Sequence, residues 1–432
     1  MQNKILVRGA ALAQAGYGHE CRTILRALRK FPQRFDIYLL NTPWGSTGWI
    51  WEDNDERKWI DSLILKTIQY QQQNGENARF DISVQVTIPA EWQNLARINI
   101  GHTAGIETTK LSPQWLEAST KVNKILVTST FSKYAFENTT SPATNNLTGQ
   151  TFDFKLDTPI EVATYPARLF ESEEFDLELP NDFNFLVVAQ WCPRKNIENT
   201  IKCFVEEFLD KKVGLILKLN SASNSLADRE ATFGRLKNFL AQYDEKRKCS
   251  VHLLHGDLSD KQMTFLYKHP KVKALFSLSH NEGFGLPQFE AVCNGLPLVA
   301  PASGGINDFI FMPQKIKNKE KDICMIANVA YDIGNVQPEA FYQDMIIEGS
   351  QWAFPKEWHA KAQLRDVWRN YPAYKNKALK LQKYILKKFE ENSIYFQIAN
   401  SICEDFPVID IAQILDNSNS GNPLLEEVQV FD

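Results

Sequence analysis

Two glutamates and two adjacent cations are the side chains of this 432-residue sequence best placed to do chemistry. Glu282 and Glu290 have seven residues between them and bracket a loop that contains Gly283, Phe284 and Gly285 and runs into Leu286 and Pro287. The two glycines let backbone approach a ligand closely. Pro287 suits the first turn of a helix and Gly295 the left-handed position just past its end, so the spacing predicts a helix of about two turns. Its free amides follow a glycine-rich loop, which is the arrangement that binds phosphate. Glu290 leans back toward the helix N-terminus and reaches the same pocket as Glu282. Carboxylates beside a phosphate repel it unless they serve another group, and sugar hydroxyls need acceptors. The stretch therefore reads as a site for a ligand that is part phosphate and part sugar. A plainer reading is an ordinary strand, loop and helix in which Glu290 only complements the helix dipole.

The cations are Arg194 and Lys195, in Gln190-Trp191-Cys192-Pro193-Arg194-Lys195-Asn196. This segment follows a buried strand over 185–189 and opens a helix whose inner face is Ile197, Ile201, Phe204, Val205 and Phe208, with Asn196 as a suitable N-cap. Two cations at a helix N-terminus oppose the dipole, and a bound diphosphate would supply the reason for them. The alternative is a pair of solvated surface charges. A second glycine loop, Gly16-Tyr17-Gly18, follows a strand over 4–9 and precedes a helix with Cys21, Ile24, Leu25 and Leu28 on one face. A dinucleotide reading of it is weak, because Cys21 stands where a third glycine belongs and the next strand, 36–40, ends at Asn41 rather than at an acid. His102 lies where strand 98–101 enters another glycine loop, at the carboxyl end that holds ligands in such sheets. A lone histidine there is as often a satisfied structural residue.

The motif Glu-Gly-Phe-Gly-Leu-Pro-x-x-Glu-Ala, followed by Gly-Leu-Pro-Leu-Val-Ala, resembles the donor-site signature of family 4 glycosyltransferases of the GT-B fold. The resemblance implies that Glu282 contacts the transferred sugar and Glu290 the ribose of a nucleotide diphosphate sugar, with retention at the anomeric carbon. It also implies that Gly16 and Gly18 lie over the cleft near donor phosphate and acceptor, and that His102 touches the transferred sugar. Lys195 matches the family's lysine, whereas Gln190 stands where the family has arginine, and Arg194 is the nearest compensating cation. The expected substrates are a nucleotide sugar and a saccharide or other hydroxyl acceptor. No separate cofactor is implied. Because no Asp-x-Asp or His/Cys cluster stands beside the diphosphate residues, no metal site is expected.

The elements that position these residues alternate strand and helix through both halves, which indicates an α/β chain with two doubly wound parallel sheets facing one cleft. Residues 1–172 form the expected first, Rossmann-like, acceptor-side domain. The segment 166–182 is acidic and turn-rich and reads as a linker, and 180–372 is the donor domain. Residues 141–157 read as a loop or irregular insertion and 334–371 as irregular and aromatic. A basic helical stripe follows, with Ala378, Leu381, Ile385 and Phe389 on one side. In the GT-B fold the terminal helices cross back onto the first domain, as 373–403 would. Residues 404–432 hold seven acids and no lysine or arginine, a peripheral tail.

Composition is that of a globular protein, 44% hydrophobic and 23% charged, and the net charge of −4 argues against nucleic acid as a partner, although a total does not see a local basic patch. The seven cysteines are scattered and read as reduced thiols, and with no hydrophobic signal region the chain is expected in the cytoplasm. Residues 1–35 carry seven basic side chains and one acid, among them Arg22, Arg26, Arg29 and Lys30 on the first helix. Such a helix can lie on anionic lipid, although a solvated face is its commoner use. Trp44, Trp49 and Trp51 sit in a loop that either stacks on sugar rings or forms a hydrophobic patch under the helix 58–71. Two other readings stay open: a non-catalytic nucleotide-sugar-binding protein, for which Gln190 is slight support, and a glycosyltransferase acting on a modified nucleic acid base.

Overall fold

The computed structural model describes residues 2–144, 149–243, 247–317, 319–342 and 345–403. The acidic segment 404–432 lies outside the described residues. In the first half, strands β1 (Asn3–Gly9), β2 (Phe35–Asn41), β3 (Ile82–Val86), β4 (Ile98–Thr103) and β5 (Lys124–Val127) alternate with helices α1 (Gly16–Arg29), α2 (Asp55–Asn74), α3 (Pro113–Ser119) and α4 (Thr130–Asn138). An antiparallel hairpin, β6 (Thr140–Thr144) with β7 (Thr151–Lys155), precedes β8 (Ile160–Val162). The hairpin corrects the loop expected over 141–157. Its strands are threonine-rich and mostly exposed, so they lack the one-sided apolar alternation that marks a strand in sequence. The six-stranded sheet is parallel in the order β2, β1, β3, β4, β5, β8.

The second half contains β9 (Asn184–Gln190), α5 (Ile197–Phe208), β10 (Gly214–Asn220), α6 (Leu226–Leu240), β11 (Ser250–Leu254), α7 (Asp260–Lys268), β12 (Val272–Phe276), α8 (Leu286–Cys293), β13 (Leu298–Ala300) and the single turn α9 (Asn307–Ile310). A hairpin of β14 (Phe311–Ile316) and β15 (Lys319–Cys324) leads to β16 (Ala327–Asn328), and a second hairpin pairs β17 (Tyr331–Asn335) with β18 (Gln351–Pro355). The parallel sheet runs β11, β10, β9, β12, β13, β16, so the order reverses between β9 and β12. Buried on both faces, β9 and β10 read as near-continuous apolar runs. Two Rossmann-like sheets and the returning helices described next make a GT-B fold.

Helix α10 (Glu357–Arg369) buries Ala360, Leu364 and Val367, and the irregular reading of 334–371 is corrected accordingly: half of that stretch is hairpin and helix. Helix α11 (Tyr371–Lys388) packs on α8, and α12 (Glu391–Ile402) returns to pack on α1. The linker is tied to this crossing by the Ala167 amide, which donates to the Phe389 carbonyl at 2.7 Å. Beside it an aromatic column crosses the halves, Tyr165 to Phe284 at 4.9 Å, Phe284 to Phe289 at 5.0 Å and Phe289 to Phe389 at 5.2 Å.

The charges of α1 are largely used within the fold. Arg22 is buried and donates to the carbonyls of Ala11 and Ala13 at 2.8 and 3.0 Å. Arg26 pairs with Glu56 of α2, and the Arg29 guanidinium lies 4.4 Å over the Trp59 ring. Of the cations on which the lipid-facing reading of this helix rests, Arg29 and Lys30 are exposed, while Arg22 and Arg26 hold the neighbouring loop and helix.

Candidate functional site

In a doubly wound sheet the crevice at the reversal of strand order holds the ligand. The segments leaving β9 and β12 at that point carry both cations and Glu282. After β9 the chain makes a short turn over Pro193–Lys195, and Asn196 adopts a left-handed conformation (φ 52°) before α5. Asn196 stands at the N-cap position without capping through its side chain; Nδ2 instead donates to the Leu278 carbonyl at 3.1 Å, tying the β9 loop to the β12 loop. The His280 amide donates to the Arg194 carbonyl at 2.9 Å and adds a second tie.

Glu282 is the hub. Lys195 Nζ donates to its two oxygens at 2.6 and 2.8 Å, and Arg194 Nη1 donates to Oε2 at 3.0 Å. Burial pushes the Glu282 carboxyl up, but Lys195 and Arg194 outweigh it and hold the group down to about 2, so it stays ionised. Arg194 also reaches the first half, with Nη2 3.3 Å from Glu107 Oε1. Burial works against its charge, while Glu107 and Glu282 more than restore it and raise its pKa. Gln190 turns away and donates to the Ser221 carbonyl at 2.8 Å, so Arg194 and Lys195 are the pair of cations at the crevice.

Glu290 occupies a separate environment. It accepts from the Tyr267 hydroxyl at 2.8 Å and lines a narrow cavity with His19, Tyr165, Arg168, Asp260 and Leu286. Burial pushes its carboxyl up to about 7; the Tyr267 hydroxyl opposes the shift and Asp260 adds to it. Pro287 and Gly295 (φ 65°) delimit α8 as the sequence predicts, and Gly285 (φ 95°) precedes it in a conformation that favours glycine. Gly283 is required by close approach, since a Cβ there would lie 2.5 Å from the Ala104 carbonyl oxygen of the first half. Phe284 is in the aromatic column and its ring does not face the cations.

On the opposite wall, Gly16 begins α1 with open space around it, whereas a Cβ on Gly18 would meet the Ala13 carbonyl oxygen at 2.0 Å. Gly16 can therefore face a ligand, and Gly18 serves packing. The loop before them is pinned by Arg22 and by the tryptophan loop, whose Gly48 carbonyl accepts from Gln14 at 2.8 Å. Trp44 stacks on Tyr17 at 4.1 Å, while Trp49 and Trp51 are exposed. His102 is buried with its Nδ1 against the carboxylate of Glu20 of α1, which is buried as well. The Tyr17 hydroxyl bonds Thr103 Oγ1 at 2.7 Å beside them. The side-chain contact of His102 is thus to the helix that opens at Gly16.

Sequence reasoning missed Glu107, Glu20, Ser129 and Asp308. Ser129 donates to the Gly283 carbonyl, and the Thr130 amide donates to Asp308 Oδ2 at 2.8 Å; both bonds close the halves on one another. It also missed Asp228, which accepts from the Ser221 and Ala222 amides at 3.0 and 2.9 Å and pairs with His255 at 2.7 Å. That pairing binds together the loops after β10 and β11. Among the described residues no group of three His, Cys, Asp or Glu side chains could hold a metal ion, and no helix is long and apolar enough to cross a membrane.

Residues 170–315 match the family model described as Glycosyl transferases group 1. No curated protein matches the chain in sequence. Solved structures share its fold at low identity. Anabaena HepE in complex with UDP-glucose is 15% identical, with a TM-score of 0.56 over 93% of this chain and 100% of that one. Sucrose-phosphate synthase from Thermosynechococcus elongatus is 11% identical, with a TM-score of 0.58 over 96% and 100% of the two chains. The lipopolysaccharide outer core galactosyltransferase WaaB is 12% identical, with a TM-score of 0.52 over 94% and 100%.

Proposed function

We propose that this chain is a retaining glycosyltransferase of family 4 that moves a hexose from a nucleotide diphosphate sugar to an acceptor hydroxyl. The observation that carries the reading is the cluster at the strand-order reversal, where Arg194 and Lys195 stand with Glu282 directly ahead of α8 and Glu290 on that helix. The donor diphosphate exchanges places with the Glu282 carboxylate on the two cations, and charge that grows on the leaving phosphate is met there. Glu282 is then released toward the sugar, and Glu290 accepts from the ribose hydroxyls in its own cavity.

In the transfer step the anomeric carbon–phosphate oxygen bond breaks on the same face on which the acceptor oxygen bonds to that carbon. The acceptor proton passes to the departing phosphate oxygen, which leaves with the electron pair of the broken bond. The match over 170–315 and the UDP-glucose held by HepE make UDP-hexoses the first donors to try. A thermal-stabilisation screen of nucleotide sugars, followed by assay of nucleoside diphosphate release with and without chelator, tests the reading. Stabilisation and chelator-resistant release by one donor are expected; binding without release would leave only a nucleotide-sugar-binding protein.

A further inference from the structure

We infer that α11 and the β14–β15 hairpin form a docking face for a membrane surface rich in anionic lipid. Helix α11 holds six lysines and no acid in 18 residues. Its apolar stripe, Ala378, Leu381 and Ile385, is buried, and its outer face presents Lys377, Lys380, Lys383, Lys387 and Lys388. None of these five forms a salt bridge among the described residues. The hairpin, which packs beside α11, adds exposed Lys315, Lys317, Lys319 and Lys321 against Glu320 and Asp322, with Lys315 opposite Glu320 in register.

A helix face that only needs solubility interleaves acids with its lysines and gains from pairs three or four residues apart. Here Lys377 and Lys380, Lys380 and Lys383, and Lys383 and Lys387 are at those spacings, and each such pair of like charges is unfavourable. Nothing in the packing of α11 requires the arrangement. The inner contacts are made mainly by other groups: Lys375 Nζ donates to the Gly295 carbonyl at 2.7 Å and Gln382 Nε2 to the Cys293 carbonyl at 2.8 Å, both at the end of α8, and of the five outward lysines Lys388 donates to the Asp308 carbonyl at 2.8 Å. An extended anionic plane relieves the repulsion of all the outward lysines at once. Their aliphatic stems, with exposed Leu379 between them, suit the boundary between headgroup and acyl chain. The chain as a whole is acidic, so attraction must be local to this face. The inference is independent of the transfer reading, since it concerns a surface outside the cleft.

The test is co-sedimentation of the full chain with vesicles of phosphatidylcholine alone or doped with phosphatidylglycerol, at low and high salt. Binding to the doped vesicles alone, weakened by salt, is expected. Each lysine near such a surface is worth about fivefold, so the variant Lys377→Glu/Lys380→Glu/Lys383→Glu/Lys387→Glu should lose partitioning by on the order of several hundredfold. Should that variant melt below the parent chain, Lys315→Glu/Lys317→Glu/Lys319→Glu on the hairpin provides the same reading, with a loss of on the order of a hundredfold. Equal binding to uncharged vesicles, or undiminished binding by a variant that melts like the parent, would overturn the proposal. So would a full chain that ignores the vesicles while one ending at Cys403 binds them, which would make the acidic tail the occupant of the face. A chain that takes up duplex RNA through the same lysines and leaves the vesicles alone would equally defeat it.

Discussion

Glu282 and Glu290 differ in charge state, and their variants should separate accordingly. Glu282, held to about 2, is ionised at any working pH, and its neutralisation leaves the part-buried Lys195 without its carboxylate and Arg194 with Glu107 alone. Removing one partner of such a cluster costs about 3 to 5 kcal/mol. Glu282→Gln should therefore melt lower than the parent chain and bind nucleoside diphosphate more tightly, because the diphosphate no longer competes with a carboxylate, while kcat falls. Calorimetric titration checks this, and unchanged or weaker binding would count against the pairing as drawn. Glu290, raised to about 7 by burial, is neutral below that pH and ionised above it. A ribose diol needs an acceptor, so the donor KM should rise about tenfold for each pH unit below 7 while kcat holds, and Glu290→Gln should flatten the profile. The same raised value implies that Glu290 favours the folded state below the usual carboxylate range and that this contribution is lost as pH rises through about 7. The identities of both residues were legible in sequence. Their partners were not: Tyr267 lies on another helix, and Glu107, which shares Arg194, comes from the other half of the chain.

At the scale of elements, the parallel strands and α8 were legible because each carries a local signal, a buried apolar run or a Pro287 and Gly295 pair. The two hairpins over 140–155 and 311–324 were not: the strands of the first are polar and mostly exposed, those of the second set partly buried apolar residues beside lysines and acids without alternation, and both are specified by pairing within the hairpin. Helix α10 was hidden within an aromatic stretch, although Ala360, Leu364 and Val367 keep helical spacing. Glycine legibility was partial too. Gly283 and Gly18 were expected to approach a ligand, yet both accommodate a carbonyl of the first half. Gly283→Ala should push the Ala104 loop away from the β12 loop. A shift of about 1 Å at an assembled site costs on the order of a hundredfold, so kcat/KM should drop by roughly that much. The melting temperature should change far less, because the cores of the two sheets are untouched; circular dichroism melts alongside kinetics separate the effects.

For the whole molecule, the cleft is closed by bonds between its halves: Arg194 to Glu107, Ser129 to Gly283 and Thr130 to Asp308. The cavity at Glu290 is about 50 Å³. Ligand sites are usually about 300 to 1,000 Å³, so parting of the halves is the expected route by which a nucleotide sugar would enter. Small-angle scattering of the protein alone should give a larger radius of gyration than this arrangement, contracting when nucleoside diphosphate is added. No change on addition would mean that entry proceeds without hinge motion. The central claim, that the cationic pair at the strand-order reversal drives departure of a nucleoside diphosphate from its sugar, is tested most directly by one comparison. Nucleoside diphosphate release from a panel of nucleotide sugars is followed with the parent chain and with Lys195→Ala. Release from at least one donor, reduced in the variant by on the order of a hundred- to a thousandfold in kcat, is the expected result. Equal release by both proteins would remove Lys195 from the chemistry and the claim with it.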